Sequence, residues 1–156
     1  MGGSHKRKLA RKNVTCMNKA EKVFRSMMEK DFCSQWMEIS PLKLEEGECH
    51  LEMKVKKEML NGFSILHGGI AYALADSALA FASNSYGNIA PLINGNMVYT
   101  QSAKEGDTLR AEAKVFSLSH KKADIDVNIY CNDHPTPFYY MRGTVYRSSK
   151  EHQIEG

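Results

Sequence analysis

The stretch NGFSILHGGIAYALADSALAFA, residues 61–82, decides the fold that this sequence predicts. From Gly68 onward its residues are apolar on nearly every side of a helical wheel, which is typical of a helix buried on most of its surface. We predict one long helix from Gly68 to Tyr86, ended by Gly87 as a C-cap and followed shortly by Pro91.

Strand-like segments flank this helix along the chain. Upstream, residues 33–55 have the pattern of a hairpin, because apolar and polar side chains alternate in ECHLEMKV after a turn at residues 45–47. A short amphipathic helix begins before it, with Asn18 as N-cap and Glu21 three residues later. Four more segments have strand character downstream: residues 93–101, 108–117, 123–132 and 138–147. Six strands and one all-round apolar helix predict an α+β hot-dog fold, a curved antiparallel sheet wrapped around a long central helix.

The bulk composition predicts a single domain with a nearly neutral body. The chain has 156 residues, and its 21 Lys and Arg exceed its 18 Asp and Glu by only three. Much of that excess lies in residues 1–16, where we expect a basic, disordered tail rather than an arm for nucleic acid or a membrane surface, because no aromatic residues are interleaved with the charges. Residues 17–149 are the predicted domain and residues 150–156 a C-terminal tail.

Several classes of protein are not indicated. No apolar core of a signal peptide follows the basic start, and the apolar run from Gly68 to Ala82 is too short to cross a membrane. The four cysteines form no Cys-x-x-Cys pair, and the six histidines lack metal-ligand spacing. We therefore expect a cytoplasmic protein with reduced thiols, no metal, no cofactor, and neither nucleic acid nor membrane as a partner.

Asp76 is the only Asp, Glu, Lys or Arg between Asn61 and Ala103, in a chain that is 25% charged. An unpaired carboxylate in an apolar helix costs several kcal/mol, and burial raises its pKa toward the range of a general base at neutral pH. The alternative is that Asp76 accepts hydrogen bonds from a neighbouring strand or side chain and is purely structural. The isolated residue does not decide between these two interpretations.

The sequence His67-Gly68-Gly69 stands where the long helix begins. The first amides of a helix are free donors at the positive end of its dipole, and two glycines leave them open to an incoming oxygen, as in an oxyanion hole. His67 could donate to a ligand or simply cap the helix. Asn61 could orient a water molecule, although Asn-Gly is also a common turn former.

Gly68 and Asp76 are eight residues apart, so their backbones are separated by about 12 Å along the helix. One substrate carbonyl can hardly contact both. If the glycine amide polarises a carbonyl while Asp76 activates its attacker, the two groups should come from different chains whose helices run antiparallel across a two-fold axis. The predicted site therefore lies at a dimer interface.

These residues carry a family resemblance. The segment MLNGFSILHGGIAYALADSALAFASNSYG resembles the signature segment of hot-dog thioesterases of the phenylacetic-acid-degradation (PaaI-like) type, and EGDTLRAEAKV resembles the block that follows it. The resemblance extends from about Phe24 to Arg147. It implies hydrolysis of acyl-CoA thioesters in dimers that usually pair into tetramers, with coenzyme A as part of the substrate and no separate cofactor.

The resemblance also implies roles for single residues. By position, Asp76 would be the general base or nucleophile, and the Gly68 amide, beside that of Gly69, would bind the thioester oxygen. Asn61 would position water or the acyl carbonyl, and His67 would support the same loop.

Two further pairs of residues are candidates for binding the substrate. On the strand after the helix the family commonly has a Ser or Thr that helps to place water, where this chain offers Asn94 and Asn96 on one face. Lys121 and Lys122 could meet the phosphates of coenzyme A, although lysines in a turn are more often simply solvated.

The leading hypothesis is thus an acyl-CoA thioesterase, a hydrolase that acts on an aryl- or short/medium-chain acyl-CoA. The alternative is a non-catalytic acyl-CoA-binding hot-dog module used for sensing or assembly, which would have little reason to bury an unpaired Asp76. A hot-dog dehydratase ranks last, because His67 does not stand in the pattern expected of that class.

Overall fold

The computed structural model describes residues 16–154, which form six antiparallel strands and three α-helices. The helices are α1 (Lys19–Met28), α2 (Phe32–Trp36) and α3 (Gly68–Asn84), with a 3-10 turn at Lys57–Met59. The strands are β1 (Ser40–Glu45), β2 (Glu48–Lys54), β3 (Leu92–Tyr99), β4 (Thr108–Leu118), β5 (Lys122–Cys131) and β6 (Tyr139–Tyr146). They form one sheet in the order β1-β2-β4-β5-β6-β3, so β1 and β3 are its edges.

The long helix α3 packs against the sheet and forms the centre of the core. Leu74, Ala75, Ala78 and Leu79 are fully buried on the side of α3 that faces the strands. The strands contribute alternate residues, which on β5 are all buried: Ala123, Ile125, Val127, Ile129 and Cys131. The predicted hot-dog arrangement is confirmed.

The start of α1 follows the capping pattern in the sequence. The Asn18 side chain accepts a hydrogen bond from the Glu21 N–H at 2.8 Å, and the Glu21 carboxylate accepts one from the Asn18 N–H at 2.9 Å. Phe24 then packs on Phe81 of α3 with ring centroids 4.6 Å apart. This reciprocal cap satisfies two amides at the helix start and directs the apolar face of α1 onto α3.

Two predicted boundaries are wrong. The segment from Cys33 was predicted as the start of the hairpin, but residues 32–36 form α2, because the Asp31 side chain caps a helical turn by accepting from the Ser34 N–H at 2.9 Å. The long helix ends at Asn84 rather than Tyr86, since the Asn84 side chain bonds to the backbone of Ala90, which belongs to the following loop. The strand bounds differ from the predictions by one or two residues.

One side of α3 is left open by the rest of the chain. Gly69 is exposed, and Ala73, Asp76 and Ala80, which follow it at helical spacing, are only half-buried. Among the described residues, the neighbouring edge strand β3 has no strand on its outer side, and it is exposed along most of its length. The helix is thus buried on most sides, as its apolar pattern predicted, and this one side is only partly covered by the described residues.

The predicted tails have different outcomes. The basic tail falls in residues 1–15, outside the described residues, apart from Cys16, which is exposed. At the other end, the Lys150 carbonyl accepts a hydrogen bond from the Ile89 N–H at 2.8 Å, and His152 Nε2 donates one to Asn84 Oδ1 at 2.7 Å. The described part of the C-terminal segment is thus attached to the end of α3. Within residues 16–154, no helix is both long and apolar enough to cross a membrane.

Candidate active site on the central helix

The start of α3 presents one free amide, not two. His67 is the N-cap, and its Nδ1 accepts a hydrogen bond from the Gly69 N–H at 2.9 Å. The His67 carbonyl accepts from the Ile70 and Ala71 N–H groups at 2.9 and 3.2 Å. Among the described residues, the Gly68 N–H donates to no acceptor. The prediction that both glycine amides are open is therefore corrected, because His67 already satisfies that of Gly69.

This cap also indicates which tautomer of the neutral His67 imidazole fits the helix start. A ring nitrogen that accepts a hydrogen bond carries no proton, so the proton of the neutral imidazole lies on Nε2. His67 is exposed, and within residues 16–154 its Nε2–H has no hydrogen-bond acceptor. His67 is thus a cap, and it can also donate a hydrogen bond to a ligand.

Two aromatic rings lie close to Gly68 and Gly69, where a side chain would meet them. A Cβ at Gly68 would lie 3.2 Å from Cε1 of Tyr99, and the Tyr99 hydroxyl donates to the Gly68 carbonyl at 3.2 Å. A Cβ at Gly69 would lie 3.1 Å from Nδ1 of His67. No local pattern predicts the Tyr99 contact, because it joins residues 31 positions apart.

Asn61 acts as a turn former in this chain. Its Oδ1 accepts from the Phe63 N–H at 2.9 Å and from the Ile65 N–H at 3.4 Å. The turn leads into the helix start, where the His67 N–H donates to the Met59 carbonyl at 2.9 Å. The side-chain NH₂ of Asn61 has no partner among the described residues, so it is the part of Asn61 available to a ligand.

Asp76 lies in the middle of α3, half-buried and without a hydrogen bond from any described residue. The structural interpretation, in which a neighbouring strand or side chain satisfies the carboxylate, therefore finds no support within one chain. Burial raises the pKa of the Asp76 carboxyl above its ordinary value, and the negative charge of Asp31 raises it further. Both effects make Asp76 a stronger base than an aspartate in water.

Asp31 belongs to a polar network that the sequence did not predict. Its Oδ2 accepts from the hydroxyl of Ser34 at 2.6 Å, and Ser34, which is fully buried, lies 2.9 Å from the hydroxyl of Ser77. Because the Ser34 proton is used toward Asp31, Ser77 donates to Ser34. The network joins α2 to α3 directly beside Asp76. Its only local signal was the three-residue spacing of Asp31 and Ser34, which is typical of an N-cap.

The other candidate residues lie apart from this region within one chain. Asn94 and Asn96 are exposed on the face of β3 that points away from α3, because the intervening Gly95 faces Tyr72 of the helix. They pair with Thr144 and Arg142 of β6.

Lys121 and Lys122 are exposed at the opposite end of the helix. The Lys121 carbonyl accepts from the Arg147 N–H at 2.8 Å, and the Arg147 guanidinium stacks on Tyr86, 5.5 Å from its ring centroid. Since Tyr86 lies beyond the end of α3, these lysines are near the end of the helix opposite Gly68. In the part of the chain that the structure describes, no group of three or more His, Cys, Asp or Glu is arranged to hold a metal ion.

The fold and the sequence together define the class of protein. The family model of the thioesterase superfamily matches residues 63–138, which include Gly68, Asp76 and strands β3 to β5. A protein of Archaeoglobus fulgidus, provisionally named an esterase, is 37% identical over 131 residues, which are 84% of each chain. The chain therefore belongs to the thioesterase superfamily, and the prediction of a PaaI-like hot-dog thioesterase is confirmed.

Individual relatives make the similarity more specific. The acyl-coenzyme A thioesterase PaaI of Escherichia coli is 32% identical over 131 residues, which cover 84% of this chain and 89% of PaaI. The structure of E. coli PaaI superposes with a TM-score of 0.82 over 85% of this chain and 96% of that chain. The protein smu.793 of Streptococcus mutans, in a structure bound to acetyl CoA, has a TM-score of 0.70 at 22% identity, over 73% and 91% of the two chains, and shares the fold.

Proposed function

We propose that this protein hydrolyses an aryl- or short/medium-chain acyl-CoA to the free acid and coenzyme A. The observation that carries the proposal is the half-buried carboxylate of Asp76 on the same helix as the first-turn amide of Gly68, neither of which has a hydrogen-bond partner within residues 16–154. The substrate class comes from the similarity to E. coli PaaI, an acyl-coenzyme A thioesterase, and is supported by the acetyl CoA bound to the S. mutans protein.

In the proposed reaction, Asp76 supplies the base or the nucleophile. As a base, its carboxylate takes a proton from water while the water oxygen attacks the thioester carbon; the C–S bond then breaks and coenzyme A leaves as the thiolate. As a nucleophile, the carboxylate attacks that carbon itself, the thiolate leaves, and water hydrolyses the resulting anhydride. In both routes the raised pKa of Asp76 makes its carboxylate more basic than that of an aspartate in water.

The Gly68 N–H would donate to the oxygen that becomes negative when the carbonyl carbon is attacked. It is the only one of the two glycine amides without a partner among the described residues, and it stands at the positive end of the α3 dipole. Such a donor is worth about 10²–10³ in kcat. A thioester has a good leaving group, so one base and one oxyanion donor can suffice.

The complete site would be shared between two chains. Gly68 and Asp76 are separated by about 12 Å on one helix, which is too far for a single thioester carbonyl. The open side of α3 and the unpaired edge of β3 adjoin each other, so a second chain could pair with β3 and bring its own α3 alongside. This geometry supports a homodimer, and the resemblance implies that two such dimers pair into a tetramer.

Some of the remaining candidates take roles in that assembly. The free NH₂ of Asn61 would contact water or the acyl carbonyl, and the Nε2–H of His67 would face the same space. Lys121 and Lys122 would meet coenzyme A phosphates only across the dimer, since within one chain they lie away from Gly68. Asn94 and Asn96 point away from α3, so they take no role in this site.

Steady-state hydrolysis of a panel of aryl, short-chain and medium-chain acyl-CoAs, with thiol release as the readout, tests the proposal. We expect Asp76→Asn to lower kcat/KM by about 10²–10⁴ while the variant elutes at the same oligomer size as the wild type. The matched control is Asp133→Asn, which removes an exposed carboxylate in the β5–β6 turn. Normal turnover by Asp76→Asn would show that the carboxylate is not catalytic, and wild-type binding without turnover across the panel would indicate the non-catalytic module.

A further inference from the structure

The peptide that joins Gly68 to Gly69 is held from both of its polar sides. Its carbonyl, on Gly68, accepts from the Tyr99 hydroxyl at 3.2 Å, and its N–H, on Gly69, donates to His67 Nδ1 at 2.9 Å. The Tyr99 ring also lies over Gly68, with Cε1 3.2 Å from where a Cβ would stand. The first turn of α3 is thus held by side chains from two different elements.

The orientation of this peptide determines where the free amide of Gly68 points. That amide belongs to the preceding peptide, whose His67 carbonyl accepts from Ile70 and Ala71 inside the helix. In a trans peptide the N–H points opposite to the carbonyl, so the Gly68 N–H is directed out of the helix end. Rotation of Gly68 would turn both of its peptides, and the contacts with Tyr99 oppose that rotation.

Tyr99 is itself anchored to the loop before the helix. Its ring meets the buried Tyr139 ring edge-on, with centroids 5.9 Å apart, and the Tyr139 hydroxyl accepts from the Ala103 N–H at 2.9 Å. The Ala103 carbonyl in turn accepts from the N–H of Leu66, one residue before His67, at 2.9 Å. These contacts connect Tyr99, at the end of β3, to Leu66, in the loop that leads into α3.

We propose that Tyr99 is a positioning residue: its hydroxyl and ring hold the Gly68–Gly69 peptide so that the Gly68 N–H faces the thioester oxygen. This inference rests on the proposed function. It also links the edge of the sheet to the site. Tyr99 is the last residue of β3, so a second chain that pairs with this strand would pack beside Tyr99, which positions the Gly68 amide.

The test compares Tyr99→Phe, which keeps the ring but removes the hydroxyl, with Tyr140→Phe as matched control. Tyr140 is exposed to a similar extent, 43% against 50%, on the outer face of β6. For Tyr99→Phe we expect kcat to fall about five-fold with KM unchanged, from the loss of one hydrogen bond. Tyr99→Leu, which also removes the ring, should lose about a hundred-fold in kcat.

Wild-type kcat in Tyr99→Phe, or a rise in KM at constant kcat, would overturn the proposal, since a positioning residue acts on the chemical step. A second readout does not depend on hydrolysis. With ¹⁵N-glycine labelling, which gives at most 11 signals, the Gly68 and Gly69 amide signals should shift in Tyr99→Phe and stay unchanged in Tyr140→Phe. Unshifted signals would overturn the proposal even if the wild type hydrolysed no acyl-CoA and the proposed function had failed.

Discussion

Mixing two inactive variants should restore activity if each site takes Gly68 from one chain and Asp76 from the other. The first variant is Asp76→Asn. The second is Gly68→Pro, which removes the N–H outright at the first position of α3, where proline is favoured in helices. His67, with φ −60° and ψ 131°, already has the extended conformation that a residue before proline needs.

The activity that mixing should restore follows from the division of each site between two chains. Each variant alone should lose about 10²–10³ or more in kcat, since it lacks either the base or the oxyanion donor. After random reassociation half of the dimers are mixed. In a mixed dimer one of the two sites has both Gly68 and Asp76 intact, while the other has neither. The unfractionated mixture should therefore recover about one quarter of wild-type activity, and isolated mixed dimers about one half.

The assay is thiol release from the best acyl-CoA of the panel, measured on mixed dimers isolated by two different affinity tags. Gly68→Ala separates two effects, because it keeps the N–H and adds a Cβ 3.2 Å from the partly exposed Tyr99 ring, so its loss of kcat measures the displacement of that ring alone. Isolated mixed dimers no more active than either parent would refute the two-chain site, because a site built within one chain leaves every chain of the mixture defective.

Three further predictions concern pH and stability. The acid limb of kcat/KM should lie above the ordinary aspartate range, and Asp31→Asn should move it to lower pH, because burial and Asp31 raise the pKa of Asp76. Asp76→Asn should raise Tm at pH 7 but not near pH 3: a carboxyl whose pKa is raised by folding costs no stability below its unfolded pKa, and the cost appears as pH rises through the folded pKa. Gly143→Ala should lower the free energy of unfolding by about 1–3 kcal/mol in urea titrations, because its Cβ would lie 2.5 Å from Leu79 Cδ1 in the core, whereas Gly62→Ala, with nothing within 4 Å, should be nearly neutral.

Each of these predictions has a contrary result. An acid limb that does not move in Asp31→Asn would show that Asp31 does not act on the titrating group. Equal Tm differences at both pH values would show that the charge of Asp76 does not destabilise the fold. Similar urea midpoints for the two glycine variants would contradict the packing at Gly143.

Helices and strands whose apolar residues follow a regular spacing could be predicted from the sequence. The alternation in ECHLEMKV gave β2, and the all-round apolar run from Gly68 gave α3. The absence of other charges singled out Asp76. These features depend on residues a few positions apart, so their side chains are sorted by the backbone geometry of a single element.

What the sequence did not predict depends on contacts between distant elements. Ser34 and Ser77 are 43 positions apart and Tyr99 and Gly68 are 31 apart, and no period of a helix or strand connects them. The helix α2 was missed for a local reason, because the side chain of Asp31 gives five residues a helical start that their apolar pattern does not indicate.

The unpaired edge of β3 has a consequence for how the protein would work in a cell. If complete sites exist only where two chains meet, the number of sites follows association rather than the number of chains. Well below the dissociation constant of the dimer, turnover would scale with the square of chain concentration, so halving the amount of protein would leave about a quarter of the flux. Because the dimer would form at the β3 edge, the concentration of the protein would set the specific activity of each chain.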